Sequence, residues 1–323
     1  MATTIMKFPL KFARKLYSMS VPDSPSFGRN WKMLPNKEYA NDLIYQELIQ
    51  NKPSMIARLG STEILCMTNY LGVTNYAKYK KTASYIKGIT PPWWWENSTI
   101  SQMEQWSGFF PREVKKVEQF CELMLRDMPE VNILGSWLKE EKFFQNEMST
   151  AKKVMLEDLE PFFAPNPWTN ALEGKRVLVI HPFSKSIEKQ YIHRKNLFPN
   201  GLLPDFQLFT IKAVQTIAGQ KTQFNDWFEA LEHMKCEIEA INFDICILGC
   251  GAYGFPLAAH IKRKGKIAIH LGGVTQLLFG IKGKRWENYI VYPYTNLYNE
   301  HWVRPFENEK PDGADRVEGA CYW

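Results

Sequence analysis

The sequence lacks several features that would assign a protein to a class at once. Its six cysteines include no CxxC pair and no Cys/His array at zinc-ligand spacing, which argues against a disulfide framework or a structural zinc site. No apolar run approaches the roughly 20 residues that cross a bilayer. The N-terminus also lacks the apolar core of a signal peptide. These absences together predict a protein of the reducing cytoplasm.

Composition describes a folded chain with a modest basic excess. The 323 residues are 45% hydrophobic and 23% charged, enough to form a substantial core. The formal net charge of +6 suits an anionic ligand such as a nucleotide diphosphate or a phospholipid surface. Nucleic-acid binding is not expected, because the chain has neither dense basic patches nor a nucleic-acid-binding module.

The first 30 residues differ in character from the rest. The segment MKFPLKFARKLYSM mixes basic and apolar residues in a pattern typical of a short amphipathic helix, which could rest on the anionic inner face of a membrane. The alternative is a terminal segment packed against the protein. Both interpretations stay open at this point.

From about residue 165 onward, apolar runs alternate with amphipathic stretches, which predicts parallel βα units. The runs KRVLVIHPF, FQLFTIKAV, FDICILG and KIAIHLGG are predicted strands. The stretches between and after them, SKSIEKQYIHRKNLF, FNDWFEALEHMKCEIEAI, FPLAAHIKRKG and TQLLFGI, are predicted helices. Residues 31–164 predict a helix-rich α/β half, with strands at SMIARLG and VNILGSW. The proline- and asparagine-rich EPFFAPNPWTNALEG marks the boundary between the halves. The predicted fold is α/β, a Rossmann-like parallel sheet flanked by helices, divided into 1–30, 31–164 and 165–323.

The third βα unit of the second half contains GCGAYG, residues 249–254, which matches the dinucleotide-binding pattern GxGxxG. In that pattern the first glycine permits a tight turn, the second lets the backbone approach a phosphate, and the third lets helix and strand pack closely. The motif follows a predicted strand and precedes a predicted helix, which is the context that supports it.

A nicotinamide enzyme would have an acidic residue about 20 positions later, at the end of the next strand. Here that strand ends in IHLGG, so His270, Gly272 and Gly273 occupy the region where the acid is expected. The motif also lies in a third unit, whereas the dinucleotide fingerprint occupies a first unit. We therefore expect no NAD and a different phosphate-bearing ligand, with an NAD(P)-dependent oxidoreductase as an alternative.

Other candidate residues lie where open α/β sheets bind ligands. His181 and His270 stand at the predicted carboxyl ends of strands. The run GIKGKRW adds Lys282, Lys284 and Arg285, which could neutralise a diphosphate.

Two motifs resemble those of the GT-D-fold glycosyltransferases. SMIARLGSTEIL carries Arg58, Gly60 and Glu63 as RxGxxE, where the family has RxGDxE. The stretch DICILGCGAYGFPLAAHIKRKGKIAIHLGG is similar to the family's glycine-rich loop, alanine-rich helix and final strand. HPFSKSIEKQYIHRKNLFP and the aromatic tail are similar to bacterial proteins associated with surface polysaccharides. The resemblance spans about residues 50–290 and implies a GT-D-like fold.

The resemblance implies transfer of a sugar from a nucleotide diphosphate, typically a UDP-sugar, to a glycan, lipid-linked or protein-linked acceptor inside a bacterial cell. The family's carboxylate pair holds Mn²⁺ or Mg²⁺ against the diphosphate. Glu63 matches the glutamate, but Ser61 stands in place of the aspartate, which puts a metal site at Glu63 in doubt. Expected catalytic residues are Arg58, Glu63 and His181. The expected donor-binding residues are Gly60, Ser61, Gly249, Gly251, Ala252, Tyr253, Gly254, His270, Gly272, Gly273, Lys282, Lys284 and Arg285.

Because Ser61 stands where the family has aspartate, two functions stay open besides the oxidoreductase. Basic residues could replace the metal in a hexosyltransferase, or the protein could be a non-catalytic nucleotide-sugar-binding subunit of a transferase complex. The donor sugar, the acceptor, the stereochemistry of transfer and self-association as a homo-oligomer also stay open.

Overall fold

A computed structural model of the chain describes residues 4–21, 28–30, 34–317 and 319–323, apart from the side chains of residues 4–6. Parts of the predicted N-terminal extension, residues 1–3 and 22–27, lie outside the described residues.

The described strands form one sheet. They are β1 Ser54–Arg58, β2 Ile133–Ser136, β3 Lys152–Met155, β4 Arg176–His181, β5 Gln207–Lys212, β6 Ile245–Leu248 and β7 Ile267–His270. Their order across the sheet is β3-β2-β1-β7-β6-β4-β5, and each pairing is parallel. The predicted α/β class with a parallel, helix-flanked sheet is confirmed. Because β1 pairs with β7, with Ser54 opposite Ile267, strands from both predicted halves share this sheet.

Helices cover both faces of the sheet. They are α1 Thr4–Ser20, α2 Lys37–Ile49, α3 Ser61–Thr74, α4 Tyr76–Tyr79, α5 Thr82–Ile86, α6 Asn97–Ser107, α7 Val114–Asp127, α8 Ser184–Tyr191, α9 Arg194–Leu197, α10 Trp227–Glu239 and α11 Gly254–Arg263. Helices α3, α6, α7, α10 and α11 pack on one face, and α2, α8 and α9 on the other. Among the described helices, none combines the length and the apolar character needed to span a bilayer.

Burial on both faces explains the uninterrupted apolar runs of the strands. In β1, Met55 and Ala57 point into one core cluster and Ile56 into the other. In β4, Leu178 and Ile180 alternate with Val177 and Val179 in the same way. The side chains on each face therefore hold a separate layer of helices.

Three elements differ from the sequence expectations. The stretch predicted as one helix after β4 forms two, α8 and α9, separated by residues 192–193. The predicted short helix TQLLFGI is a 3₁₀ segment, Gly272–Phe279. The edge strand β3 was not predicted.

Candidate functional site

A cleft opens at the carboxyl ends of the central strands. The chain leaves β4 toward β5 on one side and leaves β6 toward β7 on the other. The loops after β4 and β6 therefore diverge, and such a switch point is where open α/β sheets bind ligands. His181 ends β4, Gly249 follows β6, Arg58 ends β1 and His270 ends β7. The topology thus brings four of the candidate residues to one edge of the sheet.

Two adjoining cavities, of about 130 and 480 Å³, make up the cleft. Arg58, Gly251 and His270 line both, together with Trp106 and Tyr322. The smaller cavity lies by the loops after β4 and β6, and the larger one extends over the start of α3. The sequence candidates that line one or both are Arg58, Gly60, Ser61, Glu63, His181, Gly249, Gly251, Ala252, Tyr253, His270, Gly272, Gly273 and Arg285.

Each of the three glycines of GCGAYG is favoured at its position for a different structural reason. A Cβ added to Gly249 would lie 2.5 Å from Cδ2 of His181, and one added to Gly254 would lie 2.2 Å from Cε1 of His270. Gly251 has φ +56°, and a Cβ added there would meet no atom within 4 Å. The first and third glycines are therefore required by packing against histidines. The second is favoured by its backbone conformation and faces open space.

Helical structure begins in this loop. Residues Gly251–Tyr253 form a 3₁₀ turn that runs directly into α11. The first N–H groups of a helix have no intrahelical acceptor and carry partial positive charge, so they can bind an anion. The open space beside Gly251 lies at this helix start. The buried ring of Tyr253 borders the smaller cavity and stacks on Trp227 with centroids 4.7 Å apart.

Arg58 is the main unsatisfied charge of the cleft. Its guanidinium lies 5.2 Å from the ring centre of Trp137, and its buried Nε has no hydrogen-bond partner. Across the described residues, no acceptor or carboxylate lies within bonding or ion-pair distance of this side chain. Burial lowers the pKa of Arg58, the nearby Arg285 lowers it further, and Glu63 opposes both. A bound anion would relieve this unfavourable environment.

Glu63 lies in the first turn of α3 and folds back over the start of the helix. A Cβ added to Gly60 would lie 1.7 Å from Oε2 of Glu63, so residue 60 must be glycine for the carboxylate to take this position. The carboxylate makes no hydrogen bond or ion pair with any described residue, and Glu63 lines the larger cavity. Ser61, exposed at the first position of α3, lines the same cavity.

His181 and His270 are buried and neutral. Burial lowers the pKa of each to about 3, and for His270 the charge of Arg58 contributes. The N–H of Phe183 donates to Nδ1 of His181 at 3.0 Å, which assigns the proton of that ring to Nε2. Nδ1 of His270 lies 3.3 Å from the carbonyl oxygen of Leu248, so this nitrogen carries the proton in His270. The two rings therefore offer a donor and an acceptor, respectively, through Nε2.

Of the three basic residues in the run GIKGKRW after β7, one faces the cleft and two do not. The guanidinium of Arg285 lies 4.6 Å from the ring centre of Tyr322 and lines the larger cavity. Nζ of Lys282 lies 5.9 Å from the ring centre of Tyr298, and Lys284 is exposed at the start of a 3₁₀ turn. Neither lysine lines the two cavities.

Several wall residues carry no local sequence signal for a site. Trp106 of α6 lines both cavities with 42% of its surface exposed. Trp137 donates its indole N–H to the carbonyl of Leu59 at 2.9 Å and receives the guanidinium of Arg58 on its ring. Tyr322, from the tail, packs so tightly on Gly273 that an added Cβ would lie 2.2 Å from its ring. Aromatic surface and cationic groups therefore face the same space.

The start of α8, next to His181, is occupied by the protein itself. The N–H of Lys185 donates to Glu309 at 2.9 Å, and the hydroxyl of Ser186 also donates to this carboxylate. Glu309 thus takes the position that an anion would take at this helix N-terminus. Of the helix starts after β4 and β6, the one at Gly251 is therefore the open one.

The residues of the cleft do not by themselves fit a divalent cation. Glu63 is the one carboxylate side chain among the described residues that line the two cavities. In the described ranges, no three His, Cys, Asp or Glu side chains are grouped as metal ligands. Mn²⁺ and Mg²⁺ require several oxygen ligands, most of which a bound ligand would have to supply.

No protein-family model, curated protein or solved structure matches the chain.

Proposed function

We propose that the protein is a hexosyltransferase of the GT-D type that uses a UDP-sugar donor and acts in surface-polysaccharide biosynthesis. Its acceptor would be a glycan, a lipid-linked sugar or a protein. The observation that carries the proposal is Arg58, a partly buried guanidinium without an anionic partner among the described residues, at a sheet switch point beside the open helix start at Gly251. Both features favour a ligand with phosphate groups.

The donor's diphosphate would bind between this helix start and the guanidinium groups of Arg58 and Arg285. The Nε2 proton of His181 would donate to a phosphate oxygen, because a ring whose pKa is about 3 is neutral at pH 7. This makes His181 a hydrogen-bond donor and not a general base. The aromatic surface of Trp106 offers a stacking wall for the base or the sugar.

In the proposed reaction, the bond from the sugar's anomeric carbon to the diphosphate oxygen breaks, and the diphosphate leaves with the electron pair. The acceptor's oxygen forms the new bond and loses its proton. We assign that proton to Glu63, the carboxylate that lines the larger cavity without a partner among the described residues. Arg58 and Arg285 would stabilise the negative charge on the departing diphosphate. We place the reaction in the cytoplasm, at the inner face of the membrane.

A second candidate is a non-catalytic nucleotide-sugar-binding subunit, and Ser61 favours it. Ser61→Asp restores the carboxylate pair, so a transferase scaffold should gain donor hydrolysis that depends on Mn²⁺. Ser61→Asn is the matched control, because it has nearly the shape of aspartate without the charge. If neither the parent protein nor Ser61→Asp hydrolyses any donor while UDP still binds, the binding-subunit function stands and the transferase does not.

The first experiment is the thermal stability of the purified protein with UDP, GDP, CMP, UDP-glucose or NAD, each with and without Mn²⁺. A ligand at a hundred times its dissociation constant adds about 2.7 kcal/mol to the free energy of unfolding. Stabilisation by UDP or UDP-glucose without Mn²⁺ supports the proposed site. Stabilisation by NAD alone would reject it and favour the oxidoreductase.

A further inference from the structure

Helix α1 exposes an apolar stripe. Phe8, Phe12, Leu16 and Met19 are 75%, 65%, 48% and 74% exposed. Their spacing of four, four and three residues places them on one face of the helix. Exposed apolar residues that occur singly need no explanation, whereas four on one helix face form a surface that water solvates poorly.

The opposite face of α1 is anchored to the protein, so the stripe has a fixed direction. Leu10 packs on a cluster formed by Tyr85, Trp93 and Trp94. The guanidinium of Arg14 lies 4.7 Å from the ring centre of Tyr85. Trp93 and Trp94 therefore support α1.

The surface around the stripe is basic. Helix α1 packs against α5, and Lys81 and Lys87 flank α5 at its two ends. Residues 4–21 and 76–89 contain eight basic side chains and no acidic one. Among the described residues, Glu96 brings a carboxylate beside α1, and it already pairs with Lys11 and accepts the indole N–H of Trp94 at 2.9 Å. The eight basic residues are Lys7, Lys11, Arg14, Lys15, Lys78, Lys80, Lys81 and Lys87.

We propose that α1 and the adjoining lysines of residues 78–87 dock the protein on an anionic lipid bilayer. The stripe would enter the boundary between headgroups and acyl chains, and the lysines would contact the headgroups. Charge complementarity selects this occupant, since a helix with an apolar stripe, basic flanks and no acidic residue matches an anionic interface. Packed helix axes lie about 8–10 Å apart, so α5 would lie within about one Debye length of a surface that α1 touches.

The test is co-sedimentation of the full chain with vesicles of phosphatidylcholine alone or with 30% phosphatidylglycerol. We expect binding to the anionic vesicles that weakens with added salt, and little binding to the neutral ones. Phe8→Ala/Phe12→Ala should weaken it roughly tenfold or more. Lys80→Gln/Lys81→Gln should weaken it by roughly fivefold per lysine. Ile192→Ala/Ile290→Ala is the matched control, because these exposed side chains belong to segments on the other face of the sheet.

Failure of the parent protein to bind anionic vesicles would overturn the proposal, as would equal binding to both vesicle types. A second copy of the chain is the competing occupant. It would appear in analytical ultracentrifugation as a dimer that Phe8→Ala/Phe12→Ala dissociates, with no vesicle binding. The altered side chains are exposed, so thermal unfolding of each variant should match that of the parent. Nucleotide binding in the cleft does not depend on this surface, so either proposal can fail without the other.

Discussion

Replacing Arg58 with methionine should separate ligand binding from fold stability. The substitution removes the charge but keeps an unbranched side chain beside Trp137. A charge-assisted hydrogen bond contributes about 1.5–3 kcal/mol, which corresponds to a loss of roughly 10- to 150-fold in affinity for UDP. At a UDP concentration that stabilises the parent by about 2.7 kcal/mol, a hundredfold weaker variant would gain only about 0.4 kcal/mol.

Without UDP the same variant should be nearly as stable as the parent, or more stable. It loses a cation–π contact with Trp137, worth about 0.5–1 kcal/mol. It also loses a buried charge that has no partner among the described residues, and that change is favourable by about 1 kcal/mol or more. Denaturant unfolding with and without UDP measures both effects.

Arg176→Met is the control with the opposite expectation. Arg176 begins β4, away from the cleft, and its guanidinium forms two bonds with Asp244, of 2.6 and 3.2 Å. Losing this solvent-screened pair should lower the free energy of unfolding only slightly and leave UDP binding unchanged. If Arg58→Met instead loses about 3 kcal/mol of stability and keeps its response to UDP, Arg58 is a structural group and the proposed site is wrong.

Three further predictions concern the cleft and the start of α8 beside it. Gly251→Ala should lower the free energy of unfolding by about 1 kcal/mol, because φ is +56° there. The substitution should also lower the affinity for UDP in a calorimetric titration. Unchanged UDP affinity would argue against a ligand beside this residue. His181 and His270 have folded pKa values of about 3, below the ordinary 6.5, so the stability they give is complete above pH 6.5 and is lost as pH falls. Denaturant unfolding should show that the free energy of unfolding falls by about 2 kcal/mol per histidine between pH 7 and 5. In His181→Asn about half of the total pH-dependent loss should be absent. A free energy of unfolding that does not change with pH would refute the neutral burial of these histidines. Glu309→Gln removes the carboxylate at the start of α8, so it should cost about 1–2 kcal/mol in urea unfolding without changing UDP affinity.

The parts of the fold that sequence patterns predicted are those with strong apolar periodicity. The strands β1, β2, β4, β6 and β7 are buried on both faces, β5 is a half-buried edge strand with the apolar residues Leu208, Phe209 and Ile211, and α10 has its buried side chains at helical spacing. By contrast, β3 is a four-residue edge strand in which Lys152 and Lys153 are exposed. Helix α6 is mostly polar, with Ile100 and Met103 as its large buried side chains. Neither element carries a pattern that distinguishes it from a loop.

Some residues of the cleft could be predicted from the sequence and others could not. Residues at strand ends, such as Arg58 and His181, could be found because the carboxyl ends of parallel strands share one edge of the sheet. Trp106 and Tyr322 come from a helix and a tail that tertiary packing brings over that edge, and no local motif marks them. Lys282 and Lys284 adjoin Arg285 in sequence but lie outside the cleft, because the backbone turn after Gly283 directs neighbouring side chains apart. Proximity to Arg285 in the sequence therefore does not bring either lysine to the cavities.

The net charge of the cleft affects whether a bound diphosphate is neutralised by a divalent metal ion or by arginine side chains. Arg29 is paired with Glu157, so among the described residues the charged side chains facing the two cavities are Arg58, Arg285 and Glu63, with a net value of +1. With a diphosphate group of two negative charges bound, the net charge would be −1 without a metal and +1 with a divalent cation, so neither state is neutral. Ser61→Asp would bring the cleft to neutrality, the state in which an added Mn²⁺ balances the diphosphate. If Mn²⁺ dependence appears in that variant alone, Arg58 and Arg285 stabilise the diphosphate in the parent protein, a role that a metal held by two carboxylates would otherwise have.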